Sequence, residues 1–442
     1  MKVAIGVAVL FVAIATSSAH VATDLAPNFA SDVAPILHAN CASCHQPDGP
    51  APFSLLSYDD ARAKGKEIRD AVSSRGMPPW SAVAASGYPA LAHDRRLTAK
   101  QIQTITGWID SGMAPGNRSK MPLPPVFPAT WQLGLPDLIV SLPRAVALPA
   151  GDSPHVATLV SYLNFSEERW LRAVDYRPST RGVLSHAVFF AVPAGMIVEE
   201  RDLLPGFAGL FGSTPATNPG QELVKVNRSV EPIAVWTPAL RQWALPAGTA
   251  IRLPKGTNLV MQLHARASDM GAVEDRTIGM YFEKQAPAAA LTSIQIPPAS
   301  GITAGIDIPT GETPTVVRDE FVLPIDVTVY GARGHAHDLG KDLKMTATLP
   351  NGTIRGLLWI DRWRVEWQEP YYFTAPVRLP KGTRVSSEIT YAPSPKRVVW
   401  GPRLSEEVGT MELLIAAPDA ANEAILTAAR DSRFQEQLLR KK

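Results

Sequence analysis

The chain has 442 residues, and with 45% hydrophobic and 19% charged residues it cannot be a wholly disordered or collagen-like protein. Its length predicts about three domains of ordinary size. The 43 basic and 41 acidic residues leave a formal charge of +2 without long runs of like charge, which offers no footprint for nucleic acid or an anionic membrane.

Residues 1–19 have the layout of a secretory signal peptide. Met1 and Lys2 give a positive end, an apolar run extends from Val3 to Thr16, and small residues end at Ala19. The alternative is an uncleaved membrane anchor, but the apolar run is shorter than the roughly 20 residues that a span requires. We therefore predict a periplasmic or secreted protein without stable membrane insertion.

Residues 41–45 read Cys-Ala-Ser-Cys-His, which is the attachment signature of c-type haem. Two thiols at this spacing bond to the two vinyl groups of one porphyrin, and the histidine that follows offers its imidazole to the iron. The alternatives are a thioredoxin-like redox pair and half of a zinc site, although the chain has no other cysteine to complete the latter. We predict that Cys41 and Cys44 attach haem and that His45 is an axial ligand.

A methionine sulfur commonly covers the other face of such a haem. Met77 is the candidate, because the two prolines that follow it fix the backbone and Trp80 can pack on the porphyrin edge. Met113 is the alternative.

Two capping patterns predict helices around these residues. One helix is expected from Ser57 to about Ser74, and another opens at Thr98 with an apolar face. Residues 27–120 are thus predicted to form a small all-α cytochrome c domain.

Residues 121–128 carry four prolines and predict a stiff linker. Beyond it, short alternating runs bounded by Pro, Gly and Asn are typical of sandwich strands. The sequence Arg-Leu-Pro-Lys-Gly-Thr at 252–257 recurs unchanged at 378–383, each time before an alternating strand.

This repeat predicts two tandem antiparallel β-sandwich domains, at 129–288 and 289–417. An amphipathic tail at 418–442 is expected to be a helix docked on one sandwich.

Four histidines lie in strand-like surroundings, and two of them form the pattern His335-Ala336-His337. On an extended strand, residues i and i+2 project from one face, so two imidazoles can reach one metal ion. Imidazole suits copper, zinc, nickel and iron. The alternative is a structural role, which is also our interpretation of His93 and His155.

Segments 334–348, 367–372, 379–383 and 400–401 resemble the C-terminal sandwich of the copper type II, ascorbate-dependent monooxygenases. This family includes peptidylglycine α-hydroxylating monooxygenase and dopamine β-monooxygenase. Residues 184–187 and 260–264 resemble its first sandwich, and residues 41–80 resemble the cytochrome domain fused to bacterial members.

The resemblance implies two jelly-roll-like sandwiches that each hold one copper ion. In the first, His186 and His264 match two of three histidines around a copper that stores and delivers electrons. In the second, His335 and His337 match the ligands of a copper that binds oxygen and abstracts hydrogen.

The sequence departs from the family's pattern at two ligand positions. Ser185 stands where the family has another histidine, and Val408 stands where it has a methionine. Met411 is the candidate replacement, if a bulge at Gly409 shifts the strand register by one residue. Met345 and Met261 are the alternatives.

The expected function is that of an exported haem c protein that hydroxylates a C–H bond of a small molecule or peptide with O₂. Its electron partner would be an ascorbate-like reductant or another cytochrome. The alternative is a non-enzymatic c-type cytochrome that transfers electrons or binds copper at degenerate sites.

Overall fold

The computed structural model describes residues 26–47, 49–127, 131–143, 145–148, 155–179, 183–193, 231–238, 240, 243–266, 272–274, 277–401 and 403–439. The signal peptide expected at residues 1–19 and the junction between the linker and the first sandwich lie outside these residues.

The first described part of the chain is helical. Its helices are α1 (Ala34–Asn40), α2 (Tyr58–Ala63), α3 (Gly65–Ser73) and α4 (Ala99–Asp110), with short helical turns at Phe29–Val33 and Arg118–Lys120.

Both predicted helix starts are confirmed. The Oγ of Ser57 accepts a hydrogen bond from the backbone N of Asp60 at 3.1 Å, and Thr98 forms a reciprocal capping box with Gln101. The helix expected to run to Ser74 is interrupted, because Lys64 has φ −111° and ψ 17° and separates α2 from α3.

Most of the remaining chain is β-sheet, as predicted. The strands are β1 (Leu138–Ser141), β2 (Val146–Leu148), β3 (His155–Tyr162), β4 (Arg169–Tyr176), β5 (Leu184–Val192), β6 (Pro232–Trp236), β7 (Trp243–Ala244), β8 (Thr249–Leu253), β9 (Asn258–Ala265), β10 (Ala272–Glu274), β11 (Thr277–Glu283), β12 (Ala289–Ile296), β13 (Asp307–Ile308), β14 (Thr315–Val322), β15 (Val327–Ala336), β16 (Gly340–Thr348), β17 (Ile354–Ile360), β18 (Tyr371–Leu379), β19 (Arg384–Tyr391), β20 (Val398–Val399) and β21 (Gly409–Ala416).

One nine-stranded sheet runs through both halves of the β region, in the order β1-β11-β4-β8-β12-β21-β15-β18 with β7 beside β4. Its two halves join where β8 pairs with β12 in parallel, with Thr249 opposite Ala289. A four-stranded sheet, β3-β9-β5-β6, covers the first half, and another, β14-β19-β16-β17, covers the second. The two sandwiches therefore share a continuous sheet. The predicted boundary at 289 is the first residue of β12, a strand that pairs with β8 of the first sandwich and β21 of the second.

The repeated hexapeptide forms the same turn in each sandwich. It leaves the nine-stranded sheet at β8 or β18 and enters a four-stranded sheet at β9 or β19. In the two copies, the Oγ1 of Thr257 donates to the Pro254 carbonyl and that of Thr383 to the Pro380 carbonyl, both at 2.7 Å. The sequence repeat is thus a structural repeat.

Alternate residues of the strands fill two separate apolar cores. The first core lies between β3-β9-β5-β6 and the first half of the long sheet, and the second lies between β14-β19-β16-β17 and the other half. A third group, the interface cluster, lies between the sandwiches and contains Val160, Val188, Phe190, Val192, Val235, Val260, Ala299, Ile302 and Phe434.

The C-terminal helix α5 (Ala420–Leu439) packs on both sandwiches, not on one as expected. Leu426 is buried in the second core, while Phe434 is buried in the interface cluster. The two side chains are eight residues apart, so both project from one face of the helix.

The N-terminal segment is also docked on the second sandwich. Trp80 and Ala82 belong to the second core, and Ala82 bridges to Ile360. The Trp80 ring makes an edge contact with Tyr371 at 5.1 Å. The expectation that Trp80 packs on a porphyrin edge is therefore wrong, because its ring fills the sandwich core.

Among the residues that the structure describes, no helix combines the length and the apolar character needed to cross a membrane.

Candidate metal centre

The four strand histidines meet at one place between the sandwiches. The rings of His186 and His264 are stacked with their centroids 4.1 Å apart. The His335 ring is 5.5 Å from that of His186, and the His337 ring is 6.0 Å from that of His264. We call these four side chains the histidine cluster.

Strand alternation explains why the side chains converge. On β5 and β9, Ala187 and Leu263 point into the first core, so His186 and His264 project from the other face of their sheet. On β15, Ala336 points into the second core, so the flanking histidines project toward the first sandwich.

This arrangement differs from the two metal sites that the resemblance implies. His186, His264 and His337 have ligand atoms that all lie within 4.8 Å of one another, so ligands from both predicted sites form one group. The physical reason is that the histidine-bearing faces of the two sandwiches pack directly against each other.

Three ring nitrogens of the cluster are buried without a hydrogen-bond partner: His186 Nε2, His264 Nδ1 and His337 Nε2. Buried polar atoms are nearly always paired, since an unpaired one costs about 1–3 kcal/mol. Three such atoms from three chain segments, each a nitrogen that a neutral imidazole can present as a lone-pair donor, are the donor set that a metal ion would satisfy.

Hydrogen bonds from Nδ1 orient the rings of His337 and His335. The Nδ1 of His337 donates to the Glu406 carbonyl at 2.9 Å, and the Nδ1 of His335 donates to the Gln368 Oε1 at 2.8 Å. A carbonyl oxygen only accepts, so the proton is on Nδ1 and the lone pair is on Nε2. The Nδ1 of His186 lies 3.3 Å from the Ser185 Oγ, so the serine contacts the histidine that follows it.

The Glu407 side chain fixes the backbone beside the cluster. Its carboxyl oxygens accept from the backbone N of His337, from Leu339 at 2.9 Å and from Val408 at 3.0 Å. Burial raises the pKa of Glu407 to about 8, even though these hydrogen bonds oppose the shift.

Burial keeps the whole cluster neutral. It lowers the pKa of His335 to about 3 and of His337 to about 4, and the pKa values of His186 and His264 fall well below the ordinary range. The neighbouring imidazoles add to the effect for three of them, since a second positive charge nearby is unfavourable. Metal ions bind the neutral imidazole, so these rings are in the binding form at pH 7.

Three members of the cluster, His264, His335 and His337, line a cavity of about 30 Å³ together with Val408, Thr410 and Glu412. This volume has room for an ion and a water molecule. At its edge Arg333 and Glu412 form a buried ion pair at 2.9 Å, and Arg333 also donates to the Pro232 carbonyl of the first sandwich at 3.0 Å.

Met411 does not reach the histidines. It is opposite Gly334 in the β15–β21 register and is fully buried in the second core, whereas His335 is opposite Thr410. The proposed copper ligand at this position is therefore wrong, because no bulge at Gly409 turns the sulfur to the cluster face. Val408, where the resemblance would place a methionine, does line the cavity.

A second cavity, of about 250 Å³, lies beside the N-terminal helices. Cys41, Cys44, His45 and Met77 all line it, so the structure brings the four predicted haem residues together. Both cysteines are free thiols, and burial raises the pKa of Cys41 to about 12.

The orientation of His45 suits an axial ligand. Its Nδ1 donates to the Phe53 carbonyl at 3.1 Å, which leaves the Nε2 lone pair free for iron. Met113, the alternative to Met77, packs against the helical core instead.

The two histidines to which the sequence assigns a structural role, His93 and His155, are not part of either site. His93 is exposed, and His155 starts β3 opposite Ala265, a residue of the first core.

Sequence reasoning missed the residues that support the cluster, namely Gln368 and Glu407. Gln368 lies inside the segment 367–372 that carries the resemblance, which was the one available signal. Nothing in the local pattern marks Glu407, because its role depends on backbone groups 70 residues away in sequence.

No protein-family model matches the chain, and no curated protein does either. Among solved structures, PNGase F, a glycosylasparaginase from Flavobacterium meningosepticum, aligns with a TM-score of 0.30 and 8% identity over 64% of this chain and 96% of that one. The VP2 subviral particle of infectious bursal disease virus aligns with a TM-score of 0.19 and 12% identity over 67% of this chain and 76% of that one. TM-scores this low do not establish a common fold.

Proposed function

We propose that this protein is an exported copper- and haem-containing oxidoreductase of the monooxygenase type. It would hydroxylate a C–H bond of a small molecule or peptide: the substrate, O₂, two electrons and two protons give the alcohol and water. The electrons come from a one-electron donor such as ascorbate or another cytochrome. The observation that carries the proposal is the set of three unpartnered, buried imidazole nitrogens within 4.8 Å of one another.

The chain's own residues have distinct roles in this proposal. His186, His264 and His337 would hold a single copper ion, and His335 lines the adjoining cavity. Copper in this site supplies one-electron chemistry and O₂ binding. The surrounding strands exclude bulk water, and the hydrogen bonds from Nδ1 of His335 and His337 keep these rings oriented.

In the N-terminal cavity, Cys41 and Cys44 would attach haem through thioethers, and His45 and Met77 would hold its iron. The fit rests on the shared cavity and on the His45 orientation. Haem c would supply single electrons. Because such attachment takes place outside the cytoplasm, this proposal and the signal-like first residues both favour a periplasmic or secreted protein.

A second function, electron transfer or copper binding without catalysis, is favoured by Val408. An apolar side chain lines the cavity where the family has a sulfur ligand, and the cavity of about 30 Å³ is too small for an organic substrate.

Metal and oxygen measurements on the purified protein distinguish these functions. The protein is produced with the haem-attachment machinery, and its haem and copper contents are measured before O₂ uptake is followed with ascorbate and a panel of C–H substrates. One haem and one copper per chain with substrate-dependent O₂ uptake support the monooxygenase. Both cofactors without such uptake support the electron-transfer function. Haem without copper in protein incubated with Cu(II) rejects the monooxygenase and leaves electron transfer through the haem.

A further inference from the structure

Four consecutive residues separate the N-terminal cavity from the histidine cavity. Glu366 and Trp367 line the N-terminal cavity together with Cys41, Cys44, His45 and Met77. Gln368 and Glu369 line the histidine cavity. We call residues 366–369 the partition segment.

A short bonded path crosses this segment. Trp367 is joined through one peptide bond to Gln368, whose Oε1 accepts from His335 Nδ1 at 2.8 Å. The amide of Gln368 is held in this orientation, because its Nε2 donates to the Val365 carbonyl at 3.1 Å. One hydrogen bond is thus the only non-covalent step between the Trp367 residue and the His335 ring.

Ion pairs with two other parts of the molecule hold the partition segment in place. Glu366 pairs with Arg266 of the first sandwich at 2.9 Å. On the other side, buried Glu369 pairs with Arg95 at 2.5 Å, and Arg95 also donates to the Pro79 carbonyl at 2.8 Å. Pro79 lies two residues after Met77. The contacts of Arg95 therefore hold both the partition segment and the Met77 side of the N-terminal cavity.

We propose that Trp367 and Gln368 form the route by which single electrons pass between the two cavities, and that the electron arrives at His335. This inference rests on the proposed function. In the step, ferrous haem iron loses one electron and Cu(II) gains it, giving ferric haem and Cu(I), without proton transfer or bond cleavage. The resemblance assigned electron delivery to His186 and His264, whereas the bonded path leads to the histidine on β15.

The experiment follows electron transfer within the oxidised haem–copper protein after addition of less than one equivalent of a fast one-electron reductant without oxygen. Haem absorbance reports reduction and reoxidation of the iron, and loss of the Cu(II) electron paramagnetic resonance signal reports arrival at copper. A phase whose rate is independent of protein concentration is the intramolecular step.

We expect Trp367→Leu and Gln368→Leu to slow this phase several-fold or more. Gln368→Glu, which keeps an oxygen acceptor for His335, should retain most of the rate. Trp359→Leu is the matched control, because Trp359 lies on β17 and lines neither cavity.

The Cu(II) electron paramagnetic resonance spectrum of the fully oxidised protein is a second readout. It reports the surroundings of the copper and does not depend on the rate of electron transfer. Gln368→Leu should alter the Cu(II) spectrum and weaken copper binding by about 10- to 100-fold, since it removes a partner of a metal-adjoining histidine. Trp367→Leu should leave both unchanged.

Full haem and copper content with an unchanged intramolecular rate in both Leu variants would overturn the route and leave the proposed function intact. Failure of the wild-type protein to bind either cofactor would reject the proposed function and the route together.

Discussion

At the scale of single residues, the two faces of β15 and β21 decide which side chains can reach a metal ion. His335 and Thr410 share the face toward the first sandwich, while Gly334 and Met411 share the face toward the second core. Neighbouring residues on one strand therefore have unrelated roles. One residue faces the histidine cluster and the next faces the second core.

Replacement of Met411 by leucine tests this assignment. We expect Met411→Leu to leave copper affinity unchanged and to alter the free energy of unfolding by less than about 1.5 kcal/mol, because the side chain only fills space in the core. Copper titration and urea unfolding measure the two quantities. A large loss of copper affinity in a folded variant would show that the sulfur is a ligand.

The pH dependence of metal binding follows from the lowered pKa values. Protons compete with a metal for imidazole only as the pH approaches the pKa, which is about 4 for His337 and about 3 for His335. Copper affinity should thus stay level from pH 8 to about 5 and fall below that range. Titrations at several pH values check this, and a steady decline that begins near pH 6.5 would indicate exposed, ordinary histidines.

The sequence predicts the ligand types but not their grouping. Period-two alternation places His335 and His337 on one face, and the resemblance selects His186 and His264. Which histidines share an ion depends on how the two sandwiches pack, and that contact is made between residues far apart in the chain.

At the scale of elements, the two repeated turns have the same backbone geometry and make the same connection. Each carries the chain from the shared sheet to a four-stranded sheet, with a glycine in the left-handed region: φ is 72° at Gly256 and 81° at Gly382. The repeat was readable from sequence because the residues that form each turn are consecutive in the chain, whereas the parallel pairing of β8 with β12 joins distant residues and was not.

Substitution of these glycines should destabilise both sandwiches similarly. Gly256→Ala and Gly382→Ala each force a side chain into the left-handed region, at a cost of roughly 1–2 kcal/mol. Urea unfolding measures the effect, with Lys381→Ala as the control in the same turn. If either glycine variant is as stable as the wild type, the turn geometry described for that copy is wrong.

Helix α5 should contribute to the interface through one large side chain. Phe434→Ala is expected to cost about 3–5 kcal/mol, since it leaves a cavity in the interface cluster. Ile425→Ala is the control, because Ile425 lies on the same helix and is 51% exposed. Thermal or urea unfolding compares the two, and equal small effects would mean that α5 is not packed between the sandwiches.

At the scale of the whole molecule, the contacts that join the sandwiches include the shared sheet, the helix α5 and the histidine cluster. The tandem arrangement was predicted from the repeat, but the shared sheet corrects the view of two separate domains. A metal ion bound by residues of both sandwiches would add a link that neither half could form alone.

Removal of copper should consequently lower the stability of the folded chain. A ligand that binds only the native state at a free concentration of 100 times its Kd adds about 2.7 kcal/mol. Unfolding of copper-loaded and chelator-treated protein measures this difference. Equal stability under conditions where copper is shown to be bound would indicate binding to exposed groups outside the cluster.

The most direct test of the shared centre is the copper content of His186→Ala and His337→Ala, which remove one ligand from each sandwich. The wild type and the control His155→Ala should bind one copper per chain, and both cluster variants should lose it. Two coppers per wild-type chain, with one retained in each cluster variant, would contradict a single centre built by both sandwiches.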